Sequence, residues 1–244
     1  MNGQEDYALS DATRHKLMKV STASVATALY KRGLRNQSVQ GVVPMKHKPG
    51  TMVGQAFTLR YIPAREDRNP LTVFRSREHK QRVAVETCPP GHVLVMDARK
   101  DSRAATAGSI LVTRLAKRGV AGVVSDGGVR DAMGIGALDM PAYFARPSAP
   151  TNLTLHEAID INVPISCGDA PVFPGDVMLG DADGVMVIPA HLVEEIAEEC
   201  TGMESYEDFV LEQVEGGAGI IGLYPATDEE SLTKYAEWRE RTGR

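Results

Sequence analysis

Cysteine is scarce in this chain. Of its 244 residues only 3 are cysteine, Cys88, Cys167 and Cys200. They are odd in number, far apart and without CxxC or Cys/His spacing, which excludes a disulfide framework and a zinc-finger pattern and leaves buried or free thiols. No apolar run reaches the roughly 18 residues a membrane helix requires. The opening MNGQEDYALSD lacks the apolar stretch of a secretory signal, so a cytoplasmic protein without a membrane partner is the expectation. Positive charge is not in excess either: a net charge of −5 and a pI near 5.7 argue against a general nucleic-acid surface. There is no GxGxxG after a strand with an acid about 20 residues on, so a dinucleotide or adenosyl cofactor is not implied. What the chain does have is 43% hydrophobic content, which at this length builds one sizeable core, a single domain with appendages.

The most informative stretch is AGSILVTRLAKRGVAGVVSDGGVRD, Ala107 to Asp131. Ile110, Leu111 and Leu115 against Arg114, Lys117 and Arg118 form an amphipathic helix, with Ser109 as its N-cap and Gly119 as its stop. Val120 to Val124 read as a strand, and Ser125-Asp126-Gly127-Gly128 as a turn that delivers Arg130 and Asp131. A helix of about 10 residues at ~1.5 Å rise leads the chain roughly 15 Å away, and a strand at ~3.3 Å per residue returns it. Arg130 and Asp131 should therefore end beside the start of their own helix.

Three matched elements meet there. Free amides around Gly108, Ser109, Ile110 and Leu111 suit a carboxylate. Arg130 can hold an anionic oxygen through two donors, and Asp131 offers a hard oxygen ligand to Mg²⁺ or Mn²⁺. An isolated Arg-Asp pair is normally a surface ion pair. In this context it completes a site for an α-keto acid whose enolate must be stabilised.

Elsewhere, residues 1–19 read as a polar N-terminal arm or first helix, 20–200 as the catalytic domain and 201–244 as a helical tail that packs across an interface. Ser21-Thr22-Ala23-Ser24 ahead of Val25, Ala28 and Leu29 reads as a capped helix ending before Gly33, and Val39 to Val43 and Thr51 to Tyr61 are β segments. Leu71 to Glu86 is a helix rich in charge, mainly a solvated face, on which Arg75 or His79 is the candidate to reach a distal carboxylate or hydroxyl of the substrate. His92 to Ala98 and Leu138 to Phe144 are strands, and Asn152 to Asn162 is a short helix or loop before a β segment from Val163 to Cys167. Val177 to Gly180 and Val185 to Ile188 form a hairpin about Asp181-Ala182-Asp183-Gly184. The acids Asp176, Asp181 and Asp183 lack the twelve-residue calcium-loop pattern and belong to turns. Pro189 to Cys200 is a helix, followed by a second helical run from Tyr206 to Val214, the flexible Gly216-Gly217-Ala218-Gly219 and a last charged helix.

GSIL (Gly108 to Leu111), its separation from Arg130-Asp131, the DGGVRD segment and FPGDVMLGDADGVMVIP (Phe173 to Pro189) together resemble the RraA-like family. That family comprises class II pyruvate aldolases, which cleave 4-hydroxy-4-methyl-2-oxoglutarate or 4-carboxy-4-hydroxy-2-oxoadipate, and regulators of ribonuclease activity. The resemblance, over roughly Val20 to Glu199, implies an α/β fold: a β/β/α sandwich related to swivelling phosphohistidine domains, with the helical C-terminal tail appended. It also implies a homotrimer or homohexamer with sites near subunit interfaces. Substrate binding falls on Gly108, Ser109, Ile110, Leu111 and Arg130, and metal binding on Asp131. Two positions depart from the aldolases, which usually carry acids where this chain has Ser109 and Gly134.

The chemistry so implied is metal-assisted retro-aldol cleavage of a 4-hydroxy-2-oxo acid, with sugar-acid derivatives among the candidate substrates, to pyruvate, or decarboxylation of oxaloacetate. Arg130 and a Mg²⁺ or Mn²⁺ ion at Asp131 stabilise the enolate. The base that deprotonates the hydroxyl is open: a metal-bound water, Asp126 or a residue from elsewhere. Two other classes stand beside this one, a non-catalytic protein that binds an RNA-degrading endonuclease and a metal-dependent sugar-acid dehydratase.

Overall fold

β-branched runs dominate the middle of the chain, and in the computed structural model, which describes residues 7–243, they pair into one nine-stranded sheet. In chain order the elements are α1 (Asp11–Leu17), α2 (Thr22–Lys31), β1 (Val43–Pro44), β2 (Met52–Pro63), α3 (Lys80–Thr87), β3 (His92–Asp97), β4 (Ala105–Ala107) and α4 (Ser109–Lys117). They continue with β5 (Gly122–Val129), α5 (Ala132–Gly136), β6 (Ala142–Pro147), β7 (His156–Ile161), β8 (Ile165–Cys167), β9 (Ala170–Val172), β10 (Val177–Asp181), β11 (Gly184–Ile188), α6 (Val193–Glu215) and α7 (Glu229–Thr242). The sheet runs β1-β6-β5-β3-β2-β10-β11, with β4 on β5 and β7 on β2, while β8 and β9 pair separately.

Strands β2, β3, β5 and β6 are parallel, and β1, β7, β10 and β11 are antiparallel to their neighbours. Alternation sorts the side chains of β3 between two cores: Leu94 and Met96 face α3, α4 and α5, and Val93 and Val95 face the β8–β9 hairpin. The layering is thus hairpin, sheet, helices, the expected β/β/α arrangement. A third cluster packs α1, α2 and the first half of α6 on β10 and β11. Phe209, Leu223 and Trp238 form a small separate core joining α6 to α7.

Several local expectations change. The segment Ser125–Gly128 is not a turn but the buried second half of β5. A Cβ at Gly127 would meet Thr106 Cγ2 at 2.5 Å and Ala98 Cβ at 2.7 Å, so these glycines serve close packing instead of chain reversal. The charged run 71–86 is two pieces, a 3₁₀ turn over Leu71–Arg75 and then α3, separated where Ser76 Oγ accepts the amide of Glu78 at 3.1 Å.

The strand placed at Leu138 begins at Ala142, the one placed at Val163 begins at Ile165, and most of 156–162 is β7 instead of helix or loop. Helix α6 runs unbroken through Tyr206–Val214, making one helix where two are expected. Of the N-terminal arm, residues 1–6 lie outside the described residues and the remainder contains α1. The three cysteines are buried and unpaired. Among the described residues no helix is long and apolar enough to cross a membrane.

Candidate functional site

The β4–α4 junction and the end of β5 are tied by backbone. The short strand β4 lies parallel to β5 with Ala107 opposite Val129, and the Arg130 amide donates to the Ala107 carbonyl at 3.0 Å. Helix α4 therefore starts beside Arg130-Asp131, as the sequence requires. The cap differs from expectation: Gly108 occupies the N-cap and Ser109 is the first helical residue. A side chain at 108 would approach Asp131 Oδ2, 3.1 Å from its Cβ, so close approach explains glycine there.

Asp131 adopts the left-handed conformation, φ 58° and ψ 36°, a strained choice for a residue with a Cβ. Two hydrogen bonds hold it: Ser109 N–H at 3.1 Å and Ser109 Oγ–H at 3.0 Å, both to Oδ2. The amide, the hydroxyl and the neighbouring Arg130 keep the Asp131 carboxyl below its ordinary value. Of the four turn amides, that of Ser109 is spent on Asp131 and that of Leu111 on the Gly108 carbonyl. The amides of Gly108 and Ile110 remain for a ligand.

Gly108, Ile110, Leu111, Arg130 and Asp131 line a cleft of about 180 Å³ together with Phe74, Gln81, Arg82, Ala105, Ala107, Thr151 and Asn152, whereas Ser109 is outside the lining. The Arg130 side chain donates no hydrogen bond and forms no ion pair among the described residues, so its guanidinium is available to an anion. The cleft lies at the carboxyl end of parallel strand β5, the customary ligand position of such sheets.

Three sequence candidates fall elsewhere. Asp126 is 2% exposed, and its carboxylate accepts the amides of Ala98 (2.6 Å), Lys100 (3.0 Å) and Gly168 (3.1 Å). Burial raises its pKa. It anchors two loops and does not line the cleft. Arg75 lines a neighbouring groove with Arg77 and Arg114, and His79 another with Arg68 and Glu157. The interruption between the 3₁₀ turn and α3 takes 75 and 79 out of phase with the helix, and Gln81 and Arg82 face the cleft instead. Arg82 belongs to the basic run already singled out. Asn152 has no local signal and arrives through the pairing of β7 with β2.

The acids Asp176 and Asp181 do turn chemistry: Asp176 accepts the amides of Phe173 and Ala190, and Asp181 those of Thr22 and Asp183. The positions at 109 and 134 are neighbours in space, a Cβ at Gly134 falling 3.9 Å from that of Ser109. Asp131 is the carboxylate of the cleft lining.

The donor set discriminates among metals. No group of three or more His, Cys, Asp or Glu side chains gathers among the described residues. A multi-ligand cage of the zinc kind is therefore not formed by these side chains. Asp131 Oδ1 has no partner among the described residues, and one free carboxylate oxygen fits a cation that keeps most of its waters, as Mg²⁺ does.

The chain is similar to known proteins in both sequence and fold. The family described as RraA-like, Aldolase/RraA, matches residues 22–187. A protein named "Putative 4-hydroxy-4-methyl-2-oxoglutarate aldolase" from Halalkalibacterium halodurans is 42% identical over 106 residues, 43% of this chain and 50% of that one. The chain spans about half the length of the curated relatives it matches first. Among solved structures, Streptomyces coelicolor RraAS2, described as an unusual member of the RNase ES inhibitor RraA protein family, superposes with a TM-score of 0.74 at 26% identity, covering 82% of this chain and 96% of the other. An uncharacterized protein from Pseudomonas syringae pv. tomato has the same fold, with a TM-score of 0.74 at 21% identity over 88% of this chain and 98% of its own.

Proposed function

Since the chain belongs to the RraA-like family, we propose that it is a divalent-metal-dependent carbon–carbon lyase acting on a 2-oxo acid and releasing pyruvate. The observation that carries this reading is the Arg130 N–H to Ala107 carbonyl bond, which holds a free guanidinium and a free carboxylate oxygen against the open end of α4. The substrate carboxylate binds the Gly108 and Ile110 amides. Arg130 donates to the oxygen on which enolate charge grows as the bond between C3 and C4 breaks. A Mg²⁺ or Mn²⁺ ion, held by Asp131, would supply further polarisation of the keto group.

Two leaving groups fit this frame. In retro-aldol cleavage the C4 hydroxyl must lose its proton as a carbonyl product departs, which requires a base. In decarboxylation of oxaloacetate, CO₂ leaves with no hydroxyl to deprotonate. With Ser109 and Gly134 where aldolases carry acids, the second reaction makes fewer demands on the cleft. The test is pyruvate release from oxaloacetate and from a panel of 4-hydroxy-2-oxo acids, with and without EDTA. Arg130→Met and Asp131→Asn should each lower kcat/KM by about 100-fold or more. A folded protein with no EDTA-sensitive turnover of any of these would overturn the reading.

Similarity to RraAS2 along 82% of the chain supports a second reading, a protein that binds and restrains an RNA-degrading endonuclease. Capture of such a nuclease by the Arg130→Met variant as well as by the unaltered protein would favour it, because binding would then be independent of the cleft.

A further inference from the structure

The segment after β3 and the start of β7 meet at one buried histidine. His156 is 0% exposed, its Nε2 is buried without a hydrogen-bond partner, and its Nδ1 lies 3.2 Å from Arg99 Nη2. A guanidinium only donates, so Nδ1 is the acceptor and the neutral ring carries its proton on Nε2. The same Nη2 donates to the Leu155 carbonyl at 3.0 Å, an oxygen that also accepts the Ala64 amide at 3.0 Å. Arg99 thus clasps two consecutive residues, Leu155 and His156.

Those residues close the turn that reaches the cleft. The Leu155 amide donates to the Asn152 carbonyl at 3.0 Å, and Thr151 and Asn152 both line the cleft. At one end the turn is tied by main chain alone, the Ala105 amide donating to the Pro150 carbonyl at 2.9 Å. At the other end the clasp depends on a titratable ring. Protonation turns Nδ1 from an acceptor into a donor and sets an imidazolium against a guanidinium, two repelling charges with no bond between them. The charged and titratable groups facing His156 are Arg99 and Asp101, from the segment after β3, and Tyr61 of β2, the ring centres of Tyr61 and His156 lying 5.6 Å apart. Helix α3 also packs on β7 and adds no charge to this set among the described residues. The Asp101 carboxylate is already paired with Arg103 at 2.7 Å. Burial first, and the Arg99 charge after it, hold the His156 imidazole below the ordinary histidine range, with Ala104 and Asp101 opposing them. The ring is therefore neutral, and the clasp closed, at pH 7.

We propose that Arg99 and His156 are positioning residues, a latch that holds the 151–155 turn at the cleft while Nδ1 is unprotonated and releases it on acidification, weakening ligand binding. The effect on binding rests on the reading of the cleft as a 2-oxo-acid site; the latch itself does not. Neither residue touches the reacting atoms. Asp131 does not produce the same loss, because its carboxyl titrates below the ordinary aspartate value of about 3.9, well under the histidine range.

Nitrogen-15 NMR of the imidazoles and of the main-chain amides reads the latch in the full chain. His156 should be in its Nε2–H form at pH 7.5 and titrate below about 6.5, and the amides of Thr151 to Leu155 should shift with it. Arg99 is exposed, so Arg99→Met leaves the core intact. In that variant the turn amides should already sit near their acid positions at pH 7.5 and cease to follow His156, and Arg99→Lys should restore part of the response. Calorimetric titration with pyruvate in Mg²⁺ buffer gives the second readout. Affinity should fall about threefold or more between pH 7.5 and one unit below the His156 midpoint, the scale of one lost hydrogen bond, and Arg99→Met, weak at both, should lack that step. An Nδ1–H tautomer, turn amides that stay fixed while His156 titrates, or an affinity step retained in Arg99→Met would each overturn the latch. If pyruvate binds at neither pH, the 2-oxo-acid reading falls, and the amide shifts alone decide the latch.

Discussion

At Asp131 a single side chain sets both the conformation and the charge of the site. Its left-handed backbone is compensated by the two Ser109 donors, and the same donors stabilise the ionised carboxyl. Because its folded pKa lies below the ordinary value, the interaction is present at neutral pH and is lost as pH falls through that lowered pKa. Ser109→Ala removes the hydroxyl and keeps the amide, so the Asp131 pKa should rise toward an ordinary aspartate. Carbon-13 NMR of the carboxyl would read this directly, and the acid limb of ligand binding should move to higher pH by the same amount. An unchanged titration would mean that the amide alone holds the carboxylate. Arg130, Asp131 and the turn from Gly108 are legible in the sequence because helix rise and strand rise are fixed lengths. The burial of Asp126 is not legible, because an acid in an SDGG string looks identical whether it is solvated or, as here, enclosed by three amides.

Strand β5 shows why residue type alone fails over such a string. Ser, Asp and two Gly favour a turn in isolation, but packing decides here: a Cβ at Gly128 would meet the Ser102 and Ala104 carbonyl oxygens at 2.7 and 2.8 Å, and backbone oxygens cannot rotate away. Gly128→Ala should therefore destabilise the protein by at least ~1–3 kcal/mol, the usual cost of overpacking, as read in urea denaturation. It should also weaken pyruvate binding, since Arg130 lies two residues on. Gly33→Ala offers the contrast. Nothing lies within 4 Å of its added Cβ, so its cost comes from the positive φ of 80° alone. The same variant should leave pyruvate affinity unaltered. Asp126→Ala would strand the amides of Ala98, Lys100 and Gly168, at about 1–3 kcal/mol for each one left buried and unsatisfied. If Asp126→Ala lowered turnover without lowering stability, a role in the chemistry would have to be restored to it.

Long-range pairing is what no local pattern reveals, and it determines how the cleft is finished. The antiparallel match of β7 to β2, with a register shift at Arg60/Tyr61, carries the preceding turn and Asn152 across to the β4–β5 edge. The helices on that side leave Ile110 83% and Met133 93% exposed. Both sit at the start of their helices, α4 and α5, where Ile110 lines the cleft and a Cβ on Gly134 would lie 3.9 Å from that of Ser109. Two large apolar side chains in water beside a polar cleft are the composition expected of a surface that another copy covers. Sedimentation should therefore find an assembly larger than the 26.3 kDa chain, and Met133→Glu should dissociate it by placing a charge in the contact. Since Met133 does not line the cleft, a dissociated variant that still bound pyruvate with unchanged affinity would make the site complete within one chain. Loss of binding in step with dissociation would instead assign part of the site to the neighbouring copy, and with it a source for the base that Ser109 and Gly134 do not supply.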